Sequence, residues 1–95
     1  MARAIGINHV ALDVGSVSEA LEFWRALFPG LRLRGQSPVT AFIDLGDQFV
    51  ALAAGRSQPP DAARHFGLVV DDKETVRARL RELGIRVFHT YIEPK

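Results

Sequence analysis

The chain has 95 residues, 47% of them hydrophobic and 24% charged, which fits one small globular domain rather than a disordered or fibrous chain. A formal net charge of +1 is too near neutral to point to nucleic acid or an anionic membrane surface, so neither is expected as a partner. The absence of cysteine excludes a disulfide framework and a thiolate metal site. The start MARAIGINHV lacks the apolar segment of a signal peptide and no run approaches a membrane span, so a cytoplasmic protein is expected.

The stretch INHVALDV, Ile7 to Val14, alternates as a strand does. Asn8, Val10, Leu12 and Val14 share one face; Ile7, His9, Ala11 and Asp13 share the other. From about Val17 to Phe28, the residues Val17, Ala20, Leu21, Trp24 and Leu27 recur at helical spacing and predict a helix with Trp24 in the core. Ser16 or Ser18 is the N-cap candidate, and Pro29-Gly30 ends the helix. The runs LRLRG and PVTAFIDLGDQFVALAAG follow as strands, with Gly46-Asp47 between two apolar runs as a two-residue hairpin signal. These elements make a βαβββ module over residues 5–55.

Residues 56–63 form a linker whose Pro59-Pro60 pair suits neither helix nor central strand. Residues 64–95 then start the pattern again. HFGLVV (His65 to Val70) lies over HVALDV (His9 to Val14), and without a gap Ala20 lies over Val76, Trp24 over Leu80 and Leu27 over Leu83. The second helix is expected from about Lys73 to Leu83, with Gly84 as its C-cap. Its arginines (Arg77, Arg79, Arg81) interleave with Glu74 and Glu82 as a solvated, ion-paired face. IRVFHTYI gives one more strand, so the second module is an incomplete β-α-β. His89 there reads as a surface or edge-strand histidine. Phe42, Phe49 and Phe88 fall on strands, where they could line a cup, although core packing is the plainer role.

The paired plan, carried by INHVALDV…EALEFWRALFPGLRL and HFGLVVDD…VRARLRELGI, resembles the vicinal oxygen chelate superfamily, which includes glyoxalase I, extradiol dioxygenases and bleomycin-resistance proteins. The resemblance implies an α+β fold of paired βαβββ modules, here with the second incomplete, whose curved sheets form a cup. It also implies a divalent metal (iron, manganese, nickel or zinc) at His9 and His65, which match the ligand positions on the first strand of each module. Ala51 stands where glyoxalase-like relatives carry a glutamate ligand. Asp13 shares His9's face but lies about 13 Å along the strand, too far for joint coordination. Asp44, Gln48 and Glu93 have suitable chemistry and no motif to support them.

Three readings stay open. One is a metal-dependent enzyme acting on a small vicinal-oxygen substrate, with no general base identified. The second is a metal-free binding protein for a small, partly aromatic molecule. The third is a truncated relative without activity. The unpaired edge of an incomplete second sheet further predicts a homodimer.

Overall fold

The computed structural model describes residues 1–59 and 63–86. The chain divides into two compact units, Met1–Ala63 and Arg64–Lys95. In the first unit the elements run β1 (His9–Val14), α1 (Val17–Leu27), β2 (Leu33–Gln36), β3 (Thr40–Asp44) and β4 (Phe49–Ala54). The second unit contributes α2 (Lys73–Glu82). This is the mixed α+β architecture expected from the sequence.

The four strands form one sheet in the order β1-β4-β3-β2. The β1–β4 pair is parallel, with His9 opposite Phe49 and Val14 opposite Ala54, whereas β4–β3 and β3–β2 are antiparallel. Parallel neighbours cannot be joined by a tight turn, so the chain crosses from β1 to β4 through α1 and the other two strands.

One face of the sheet is covered by α1. The helix turns Val17, Leu21, Trp24 and Leu27 inward, the stripe foreseen from periodicity. Val17, Leu21 and Trp24 pack with Ala41, Ile43, Val50 and Leu52, flanked by Leu12, Val14, Phe28 and Leu33. Ala41 and Leu52 are fully buried. A leucine removed this completely from water contributes about 1.5–3 kcal/mol. Ser16 is the N-cap: its Oγ accepts from the Glu19 N–H at 3.3 Å. Phe23 lies off the buried stripe and is exposed.

The β3–β4 hairpin turns at Gly46-Asp47 as expected. Leu45 N–H donates to the Gln48 carbonyl at 2.9 Å, and Gly46 has φ +91° while no described non-glycine residue has positive φ. A left-handed first turn residue followed by an ordinary second one is the type II′ pattern, which suits the twist of the flanking strands.

In the second unit, α2 begins at Asp72, whose carboxylate accepts from the Thr75 N–H at 3.1 Å. It ends in a Schellman motif around Gly84 (φ +73°). Ile85 N–H donates to the Leu80 carbonyl and Gly84 N–H to the Arg81 carbonyl. Arg77 pairs with Glu74 at 2.7 Å on the exposed face, as the interleaved charges suggested. The strand expected at His65–Val70 does not form. A strand needs a neighbour to take its N–H and C=O groups, as β4 does for β1, and the described part of this unit holds no second strand. The strand expected over IRVFHTYI, with Phe88 and His89, falls mostly outside the described residues.

Candidate functional site

Alternation along the strands determines what lies on the sheet face away from α1. With Val10, Leu12 and Val14 on the helix side, His9, Ala11 and Asp13 stand on the outer face. By register, Phe49, Ala51 and Ala53 of β4 and Phe42 and Asp44 of β3 join them.

These side chains form a connected group. The His9 ring lies flat on the Phe49 ring, with centroids 4.7 Å apart and planes 6° from parallel. Phe42 meets Phe49 edge-on at 5.7 Å. Arg34 brings its guanidinium to 5.0 Å from the centre of the same Phe49 ring. Phe42 and Phe49 are therefore outer-face residues, half-buried, and not members of the core to which packing alone would assign them.

Arg34 reaches this position because β2 is bulged. Leu33 opposes Ile43 and Gly35 opposes Phe42, so Arg34 is an extra residue without a partner on β3. A bulge re-aims the side chain it carries. Arg34 Nε donates to Asp44 Oδ1 at 3.0 Å, and its Nη2 donates to the carbonyls of Gly46 and Gln48. The Asp44 carboxylate also accepts from the Gly46 N–H at 3.0 Å. The bond from Arg34, then that from Gly46, holds the Asp44 carboxyl below its ordinary value. The arginine is thus fixed by three acceptors at the hairpin end.

His9 Nδ1 lies 2.9 Å from Asn8 Oδ1. A carboxamide oxygen accepts and cannot donate, so in neutral His9 the proton sits on Nδ1 and Nε2 keeps a lone pair. That nitrogen can accept a proton or hydrogen bond, or ligate a cation.

The metal ligands implied by the resemblance are not assembled within either unit. His9 stands on the outer face of the first unit; His65 belongs to the second and is exposed. Asp13 shares His9's face, with Ala11 between them. Asp44 is committed to Arg34, and Gln48 contributes its backbone carbonyl to the same arginine. Ala51 faces outward opposite Ala11, and its methyl offers no ligand atom. Glu93 lies outside the described residues. Among the described residues no three His, Cys, Asp or Glu side chains are grouped to hold a metal ion, so they do not fit a complete metal centre.

A cleft lined by Ser16, Ser18, Gln36, Ser37 and Pro38 shares no residue with this group. Its hydroxyls serve local structure. Ser16 caps α1, and Ser37 Oγ accepts from the N–H groups of Val39 and Thr40.

Arg34 was not singled out in the sequence. In LRLRG it reads as an ordinary outward residue of an alternating strand, and the single signal of its bulge is the glycine that follows. No helix of the described residues is long and apolar enough to cross a membrane.

Residues 6–89 match the family described as "Glyoxalase/Bleomycin resistance protein/Dioxygenase superfamily". Among solved structures, a possible glyoxalase from Bacillus cereus is 29% identical, with a TM-score of 0.67 over 85% of this chain and 76% of that one. Lactoylglutathione lyase from Agrobacterium tumefaciens is 23% identical, with a TM-score of 0.67 over 98% of this chain and 81% of that one, a likeness of fold. No curated protein matches the chain.

Proposed function

Because the chain belongs to the Glyoxalase/Bleomycin resistance protein/Dioxygenase superfamily, we propose that it binds a small, partly aromatic molecule on the outer sheet face around His9, Phe42 and Phe49. The observation that carries this reading is the His9–Phe49 stack. It presents an apolar aromatic surface with one lone pair in the plane of the imidazole, on the side of the sheet opposite α1. Burying a flat apolar ring against such a surface supplies affinity, and Nε2 supplies direction. The test is saturation-transfer NMR with a library of ring-containing small molecules. Hits on the wild-type chain that His9→Ala and Phe49→Ala both abolish support the reading, and hits indifferent to both substitutions refute it.

A second reading is a divalent-metal-dependent enzyme using His9 and His65. It is favoured by the matched positions of the two histidines in the repeat, and it requires a further donor from outside the described residues. Titration calorimetry of chelator-stripped protein with manganese, iron(II), nickel and zinc tests it, repeated on His9→Ala and His65→Ala. Micromolar binding abolished by either substitution supports a shared site; absence of binding leaves the metal-free reading. A homodimer belongs to both readings. Among the described residues, β1 ends the sheet at one edge, and a second copy can satisfy the N–H and C=O groups along that edge. A monodisperse monomer in sedimentation equilibrium at micromolar concentration would exclude it.

A further inference from the structure

We infer that the Arg34–Asp44 pair sets the charge of the ligand on this face, selecting an uncharged planar ring that carries an O–H or N–H donor and disfavouring carboxylates. The inference rests on the binding reading above and deepens it.

A lone arginine above an aromatic platform would attract an anion. Here its guanidinium already faces an ionised carboxylate at 3.0 Å and two backbone carbonyls. Those acceptors occupy Nε and Nη2, and the Asp44 carboxylate offsets the arginine's charge, so a carboxylate approaching the Nη1 hydrogens meets Asp44 as a like charge. Asp13 adds a second negative group further along the same face. Arg32 also acts on Asp44. The carboxylates of Asp44 and Asp13 offset these two arginines, which leaves an anion no net positive charge to bind beside Arg34. The polar atom offered to a ligand is His9 Nε2, an acceptor, because Asn8 holds the ring proton on Nδ1. A ring that packs beside the stack with its donor in the imidazole plane can bond this nitrogen; a ring with a methoxy group in its place can only pack.

Three probes separate these demands: 2-naphthol, 2-methoxynaphthalene and 2-naphthoate. Their dissociation constants are read from NMR titrations that follow the His9 ring resonances, and from the ligand signals in His9→Phe. On the wild-type chain 2-naphthol should bind about three- to tenfold more tightly than the methoxy compound, the worth of one neutral hydrogen bond, and naphthoate most weakly. His9→Phe keeps the stack and should erase the first preference. Asp44→Asn unmasks Arg34 and should move naphthoate ahead of naphthol. Arg34→Gln should weaken naphthoate further, so the charge argument is tested even if one variant fails to fold. Naphthoate binding tightest to the wild-type chain, or naphthol and its ether binding equally, overturns the inference while leaving the face a binding site. Failure of all three probes at millimolar concentration overturns both.

Discussion

Arg34 and Asp44 are joined at 3.0 Å across the β2–β3 boundary, and the arginine is an extra residue on its strand. The pairing keeps the Asp44 carboxyl ionised to lower pH than in the unfolded chain, so its contribution has a defined sign. A depressed carboxylate stabilises the fold fully above its unfolded value, about pH 4. That contribution is lost as pH falls through the folded value. The urea midpoints of the wild type and Asp44→Asn should therefore differ by a constant amount between pH 7 and about pH 5, and converge below about pH 4. A gap that widens on acidification would contradict this assignment.

The core prediction rests on Leu52, which has no exposed surface and packs beneath α1. Leu52→Ala should cost about 2–5 kcal/mol by denaturant unfolding, from lost transfer energy and the cavity left behind. Phe23→Ala, at a side chain 41% exposed, should cost clearly less. Equal losses would mean that the stripe has been assigned to the wrong helix face.

At the hairpin, Gly46→Ala places a Cβ on a residue with φ +91°. Open space around the position removes any steric clash, so the cost is backbone strain of about 1 kcal/mol or more. The measurement is again the unfolding midpoint. Because Arg34 bonds the Gly46 carbonyl, the same substitution should also broaden the Phe49 ring resonances.

Ser16→Ala removes the acceptor of the Glu19 N–H. The expected destabilisation is about 1 kcal/mol, with Ser16→Asp restoring most of it because aspartate caps equally well. Failure of aspartate to rescue would indicate that the Ser16–Ser18 hydroxyl contact matters more than the cap.

The sequence carried most of the first unit because its signals are local. Alternation in HVALDV, the stripe ending at Leu27 and the Gly46 turn each depend on near neighbours, and each appears where its pattern placed it. His65–Val70 has the same alternation and forms no strand, since pairing depends on a partner elsewhere in the chain. The site was legible in part. His9 stood out because it recurs as His65 at the same place of the repeat and matches a ligand position of the family the chain resembles. Phe49 did not, because a half-buried phenylalanine reads like a core one until the register brings it under His9. Arg34 was hidden more thoroughly: a bulge shifts the pairing by one residue and leaves the alternation of LRLRG looking regular.

The parallel pairing of β1 with β4 also has a kinetic consequence. Phe42, Asp44 and Phe49 come from one hairpin, and Arg34 from the strand just before it, so these groups can associate through short loops. His9 arrives from far upstream, after closure of a long segment whose entropy must be offset by the helix packing on the sheet. The platform is therefore completed late in folding, and its histidine is lost early if the edge strand peels away. Native-state hydrogen exchange would register this as weaker protection of the β1 amides than of those shared by β3 and β4. Uniform protection across the sheet would mean that the edge strand and the hairpin open as one unit, and that the histidine is never absent from the folded protein.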